Sequence, residues 1–326
     1  MFSRLSQLAR HFSKPLPNYA HRSATAVSAY TKMTSPSQTR QIQTAGCIII
    51  GDEVLGGKTV DTNSAYFAKY CFSMGIGVKR IEVIADDESE IIEAVQRMSR
   101  NYDFVVTSGG IGPTHDDITY ESIAKAFNLP LKLHDVAFDK MKKLSKPHKS
   151  QPNFRWDEPS AALTAKLRMV ELPYDEGKPD EEQVLFVKED LWVPIAVPNG
   201  NVYVLPGVPR LFEALLDGLK PMILPRVTDP EGQGTYRILF STPLAESTVA
   251  GYLTELAKKV EPHGVKVGSY PRWGKRKNVA TLVGTNREYM DQLIPEVEKG
   301  VQGKRVLVEG EDDTDDEENP KKDNDA

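Results

Sequence analysis

The sequence predicts an α/β protein with a mostly parallel sheet covered on both faces, followed by a smaller α+β unit of the split βαβ type. Three observations carry this. Short apolar runs alternate with helical patterns from residue 44 to past residue 119, the rhythm of βα units. The first of these runs is unbroken rather than alternating, as a strand buried on both faces requires. From Tyr236 onward the order changes to β-α-β-β-α-β.

Element by element, residues 44–50 (Thr-Ala-Gly-Cys-Ile-Ile-Ile) read as a buried parallel strand. Asp61 to Ser64 supply N-cap chemistry for a helix whose inner face is Ala65, Ala68, Cys71 and Phe72, with Gly75 just past its end. Residues 78–85 form a second strand. Asp86 or Asp87 then caps a helix with Ile91, Ile92, Val95 and Met98 along one stripe. Residues 103–107 form a third strand that runs straight into Ser-Gly-Gly-Ile-Gly-Pro-Thr-His-Asp-Asp, and Thr119 caps the helix that follows. Between residues 146 and 182, Pro147, Pro152, Pro159, Pro173 and Pro179 and many charges predict an irregular insertion. Residues 195–204 read as a hairpin about Asn199-Gly200. Leu205-Pro206-Gly207-Val208-Pro209 leads into an amphipathic helix over residues 210–219, and Pro221, Pro225 and Asp229-Pro230-Glu231-Gly232 mark a boundary. Strands at 236–241, 265–270, 278–285 and 304–308, with helices at 245–260 and 287–300, complete the second unit. The expected organisation is a basic segment 1–43, a large domain 44–228, a small domain 229–308 and an acidic tail 309–326.

The chain of 326 residues is 40% hydrophobic and 27% charged, which excludes collagenous, coiled-coil and wholly disordered classes. No apolar run approaches the roughly 20 residues of a membrane span. Cys47 and Cys71 are the only cysteines, so a disulfide scaffold and a cysteine-built zinc site are excluded and a reducing compartment fits. The net charge of −5 is unevenly placed: residues 1–43 hold six Lys or Arg and no acid, whereas residues 309–326 hold ten acids against Lys321 and Lys322. Phe2, Leu5, Leu8, Ala9 and Phe12 at helical spacing in the basic segment predict a mitochondrial transit peptide, with a shorter cytoplasmic product from Met33 as a second form. The remaining core is close to neutral, and no nucleic-acid or membrane partner is expected.

A strand, a glycine-rich turn and a helix are how α/β proteins hold phosphate, because bare backbone lets amides approach the anion near the positive end of the helix dipole. Here Gly109, Gly110 and Gly112 supply the bare backbone, and Ser108 and Thr114 add hydroxyls. Asp116 and Asp117 follow at once. Carboxylates beside a phosphate site repel the ligand unless a hard divalent cation bridges them, so the pairing predicts a metal with a phosphorylated ligand. Neither of the common nucleotide loops fits: no Lys follows the last glycine, and the spacing is Gly-Gly-x-Gly. Asp52-Glu53 and Asp86-Asp87-Glu88 end the first two strands, where ligands of open parallel sheets bind. Asp86 serves either this crevice or a helix cap. Asp52 and Glu53 orient the metal's water, and His115 is either a general base or a hydrogen-bonded partner of its acidic neighbours. The loop 272–277 either reaches over a ligand, with Trp273 stacking on a ring, or is a solvated turn.

Residues 51–63 (G-D-E-V-L-G-G-K-T-V-D-T-N) and 107–119 (T-S-G-G-I-G-P-T-H-D-D-I-T) resemble the two signatures of the MoaB/Mog-type molybdopterin-binding family. The likeness is strongest to its CinA branch and to the N-terminal domain of eukaryotic FAD synthases. L-P-G-V-P at 205–209 and V-G-S-Y-P-R-W at 267–273 resemble the same branch, so the resemblance covers about residues 44–308. It implies a three-layer α/β/α domain with the glycine turn at its ligand crevice, and it maps the family's acidic pair onto Asp86 and Asp117. It implies metal-dependent hydrolysis of FAD to FMN and AMP, or of an ADP-ribose-like dinucleotide, with Mg²⁺, Mn²⁺ or Co²⁺ held by Asp117, Asp86 and Asp116. Asp116 stands where Mog-type insertases carry Arg, which favours a metal hydrolase over molybdenum insertion. The adenylyltransferase domain of FAD synthases and the amidase domain of CinA have no counterpart after Val308, so FAD synthesis is not expected of this chain. The alternative expectation is a non-catalytic or transfer-type molybdopterin binder, and a homo-oligomer is compatible with either. A regulatory interaction protein with a decayed site is disfavoured by the intact acids and glycines.

Overall fold

The computed structural model describes residues 41–145, 149–228, 235–272, 275 and 277–311. The expected targeting segment, most of the acidic tail, and Trp273 and Arg276 of the basic loop lie outside these residues. In chain order, β1 (Thr44–Ile50) is followed by the single turn α1 (Asp52–Leu55), α2 (Asn63–Ser73), β2 (Gly77–Ile84), α3 (Glu88–Asn101) and β3 (Phe104–Ser108). Next come α4 (Thr119–Ala126), β4 (Leu131–Leu133), α5 (Asp135–Leu144), α6 (Ala161–Arg168), β5 (Glu171–Pro173) and α7 (Asp180–Gln183). β6 (Val184–Leu185), β7 (Ile195–Ala196), β8 (Val202–Leu205) and α8 (Pro209–Ile223) complete the larger unit.

The main sheet has the order β2-β1-β3-β8-β7-β6. Its first four strands are parallel and the short β7 and β6 close it antiparallel. Successive residues of β1 feed opposite cores: Cys47 and Ile49 pack with α2 and α8, while Ile48 and Ile50 pack with α3 and α4. Helices therefore cover both faces, giving the three layers that the unbroken strand demands. The chain leaves β1 toward β2 and leaves β3 toward the other edge, so a topological switch falls between β1 and β3.

The smaller unit runs β9 (Tyr236–Thr242), α9 (Glu246–Val260), β10 (Lys266–Tyr270), β11 (Asn278–Gly284), α10 (Arg287–Gly300) and β12 (Lys304–Val306). Its sheet order is β10-β11-β9-β12, every neighbouring pair antiparallel, as a split βαβ unit requires. Phe240, Leu256, Leu282, Met290 and Val297 fill the core beneath its two helices. The Arg237 guanidinium lies 4.8 Å from the ring centre of Phe72 and joins this sheet to α2.

Four local expectations are corrected. The inner face of α2 is Asn63, Phe67, Tyr70 and Cys71, with Ala65 exposed, because the large Phe67 ring rather than the alanines fills the space above Phe104. Thr119 does not cap α4; it is the first helical residue, and its hydroxyl donates to the carbonyl of Gly109. Residues 146–182 are not wholly irregular: Ser160 caps α6, and β5 pairs with β4. Pro221 sits inside α8 instead of ending it. The hairpin turn is as expected, with Asn199 and Gly200 both left-handed at φ 57° and 77°.

Phe104 is fully buried, with the Tyr203 ring edge-on at 5.0 Å and Phe67 at 5.8 Å. Phe104→Ala is expected to cost about 3–5 kcal/mol in urea unfolding, and a loss under about 1 kcal/mol would contradict this packing.

Candidate functional site

The carboxyl ends of β1, β2, β3 and β8 open into one crevice of about 480 Å³ at the switch point. Its floor is backbone. Gly109 and Gly110 are left-handed at φ 115° and 65°, and a Cβ at the first would collide with the Ile50 carbonyl, one at the second with the Thr119 hydroxyl. Gly207 closes against Gly109 from the β8 side, where an added Cβ would lie 3.3 Å from the Gly109 Cα. Buried Asn63 fastens the arrangement, its side-chain amide donating to Ser108 Oγ and to the Gly207 carbonyl, both at 2.9 Å.

Asp117 shapes the turn. Its Oδ1 accepts from the Gly112 amide at 2.6 Å, and its Oδ2 accepts from the amide of Thr114 at 2.7 Å and from the Thr114 hydroxyl. Asp117 also lines the crevice, so the expected metal ligand is at the same time a brace of the loop. The expected phosphate donors are redistributed. The Gly109 amide donates to Leu205 O at 3.1 Å, and Ser108 is turned into the protein against Asn63 and Pro206. Gly112 and Thr114 serve Asp117. The amides of Gly110 and Ile111 have no acceptor among the described residues.

Asp86 does line the crevice, because Asp87 is the residue that caps α3, accepting from the Ser89 and Glu90 amides. Asp86 Oδ2 accepts from the Asp52 amide at 2.9 Å. Partial burial, followed by the negative charges of Asp52, Glu53 and Asp116, pushes its carboxyl above the usual carboxylate range. Glu53 and Asp116 share the lining, whereas Asp52 contributes through its backbone. His115 is outside the crevice, its side chain 97% exposed and 4.0 Å from Asp116.

Among the described residues no Lys or Arg lines the crevice, and its charged side chains are all carboxylates. Among the described residues no group of three or more His, Cys, Asp or Glu is set to grip a metal ion. That excludes a closed protein cage of the zinc type. It leaves the donor set that Mg²⁺ and Mn²⁺ use, in which one or two carboxylates are completed by ligand phosphate oxygens and water. Asp86 and Asp116 fit that set.

The opposite wall was not foreseen in the sequence. Met169 follows α6, and with Trp192, Val193, Val208 and Leu211 it lines the same crevice as the glycines. Arg168 anchors the wall to the turn, donating to the Asp117 carbonyl at 3.3 Å and lying 3.9 Å from Glu121. Apolar residues in loops leave no periodic signal. A wider hollow of about 830 Å³ between α9 and β10 is lined by Val267, Gly268 and Ser269 of the 267–273 stretch and by none of the candidate catalytic, metal or phosphate residues.

A family model described as "Probable molybdopterin binding domain" matches residues 46–227. A protein named "Probable FAD synthase" from Caenorhabditis briggsae is 32% identical over 279 residues, covering 82% of this chain and 51% of that protein. Protein PH0439 of Pyrococcus horikoshii is 30% identical over 264 residues, covering 80% of this chain and 96% of that protein. The solved structure of CinA from Thermoplasma acidophilum aligns with a TM-score of 0.45 and 31% identity, covering 56% of this chain and 98% of that one. The chain spans about half the length of the FAD-synthase relatives it matches.

The two acids are expected to separate on substitution. Asp117→Ala leaves the Gly112 and Thr114 amides unpaired and lowers stability by about 1–3 kcal/mol in chemical unfolding. Asp86→Asn melts no lower than the parent at neutral pH. The native state binds this proton more tightly than the unfolded chain, so stability falls as pH rises through the raised value. Any gain from Asp86→Asn therefore fades in mildly acidic buffer. Equal destabilisation by both substitutions would contradict these roles.

Proposed function

The chain belongs to the MoaB/Mog-type molybdopterin-binding domain family, and from that premise we propose that it is a hydrolase of diphosphate-bridged dinucleotides, with FAD as the leading substrate and FMN and AMP as products. One observation carries the reading: two unpaired amides, from Gly110 and Ile111, share a crevice with Asp86, Asp116, Asp117 and Glu53, and among the described residues no Lys or Arg lines it. Amides alone receive phosphate oxygens, but the acids repel them unless positive charge arrives with the ligand. The name of the nematode relatives supports flavin nucleotide chemistry for the matched half.

In the proposed reaction the Gly110 and Ile111 amides donate to oxygens of the diphosphate and fix its register. Asp86 and Asp116 would hold a divalent cation, which would supply positive charge to the phosphate and raise the acidity of water bound to it. Glu53 lines the same space and accepts the proton of the attacking water as its oxygen bonds to phosphorus. The P–O bond to the bridging oxygen breaks, and that oxygen leaves with the second phosphate. Apolar Val193, Val208 and Leu211 exclude bulk water from the opposite side.

A second reading, a molybdopterin binder without hydrolysis, draws support from the family description and from Asp117 spending both oxygens inside the turn. The mitochondrial address remains part of the proposal and rests on the basic N-terminal segment alone.

The test is purified protein with FAD in Mg²⁺, Mn²⁺ or Co²⁺, scored for FMN and AMP. Cleavage is expected with at least one metal and none in chelator, with Asp86→Asn lowering kcat/KM by about a hundredfold or more. Tight molybdopterin binding with no cleavage of FAD or ADP-ribose under any metal would reject hydrolysis and favour the second reading.

A further inference from the structure

Resting on the diphosphate reading of the same crevice, we infer that Trp192 is its specificity-determining residue, stacking on a flat heterocycle carried by the diphosphate. The crevice has two chemically unlike walls. One is bare backbone and carboxylate; the other is Met169, Trp192, Val193, Val208 and Leu211. An inorganic diphosphate or a bare sugar phosphate uses only the first wall and leaves the second wet. A half-buried indole beside a thioether is the surface that a planar ring covers best, since stacking is tolerant of ring identity and hydrogen bonding is not required.

Trp192 is also held in place. It packs at the margin of a cluster formed by Ala137, Met141 and Val170 with Phe138, Trp156, Phe186 and Met169 around them. Trp156 is itself wedged edge-on between Phe138 at 5.9 Å and Phe154 at 4.9 Å. This cluster belongs largely to the segment between β3 and β8, and Arg168 ties that segment to the glycine turn. The segment between β3 and β8 thus carries the Trp192 ring and, through Arg168, is joined to the glycine turn. The ligand class is accordingly a diphosphate ester of a nucleoside or flavin, with the ring bound equally in ground and transition states.

The experiment compares two probes that resist cleavage at the bridge, α,β-methylene ADP and ringless methylenediphosphonate, by calorimetry with Mg²⁺ present. The proteins are the full chain and its Trp192→Phe and Trp192→Leu variants. The full chain is expected to bind the nucleotide about tenfold or more tighter than the ringless probe, on the scale of one stacked base. Trp192→Leu, which keeps apolar volume, erases that advantage; Trp192→Phe retains most of it; methylenediphosphonate binds all three alike. With FAD, Trp192→Leu raises KM and leaves kcat within about twofold, the mark of uniform binding. Retention of the tenfold advantage by Trp192→Leu overturns the stacking role and leaves the diphosphate reading intact. Failure of methylenediphosphonate to bind any protein overturns the diphosphate reading, and if the nucleotide then still depends on Trp192 the platform survives it.

Discussion

Everything at the crevice depends on backbone packed directly against backbone where β3 ends. Gly109 lies against the Ile50 carbonyl on one side and Gly207 on the other, and no side chain fits between these three loops. That contact draws the ends of β1, β3 and β8 together. It also consumes the Gly109 amide on Leu205 O, so the next two amides, from Gly110 and Ile111, are the ones left to face outward. Asp117 completes the bend by accepting from Gly112 and Thr114. The turn is thus shaped before any ligand arrives, which is what preorganised binding requires.

Among the described residues the charged side chains lining the crevice are carboxylates, with Arg168 on the turn outside it. Asp86 bears the cost, with burial and its acidic neighbours both opposing ionisation. A positive charge placed beside these acids would favour the ionised form of Asp86. The apolar wall opposite adds a second requirement. Under the proposed function, a ligand that satisfies both walls would carry phosphate and a flat ring, with a cation between it and the acids.

Much of this was legible in the sequence, and the reason is local. The unbroken Cys-Ile-Ile-Ile run, the Asn199-Gly200 turn and the β-α-β-β-α-β order after Tyr236 are signals carried within a few residues, and the folded elements follow them closely. The glycine bend was legible for the same reason. What the sequence did not carry was pairing. Whether Asp86 or Asp87 caps α3, and whether Gly109 or Gly110 keeps a free amide, is decided by Asp52 in α1 and by Leu205 in β8, both distant in sequence. Asp117 looked like a ligand because its type and position suit one; its actual partners are amides only a few residues away. The proline-rich stretch hid α6, since Ser160 as a cap is a weaker cue than the prolines around it. Trp192 and Met169 escaped because apolar residues outside a periodic element look alike whether they fill a core or face a ligand.

The account stands or falls on whether cation and diphosphate occupy this crevice together, each needing the other. Equilibrium dialysis of Mn²⁺ against the protein, with and without α,β-methylene ADP, measures that coupling directly. The account predicts weak Mn²⁺ binding alone, binding strengthened at least about tenfold by the nucleotide, and loss of that strengthening in Asp86→Asn. Mn²⁺ binding indifferent to the nucleotide, or coupling undiminished without the Asp86 carboxylate, would contradict it.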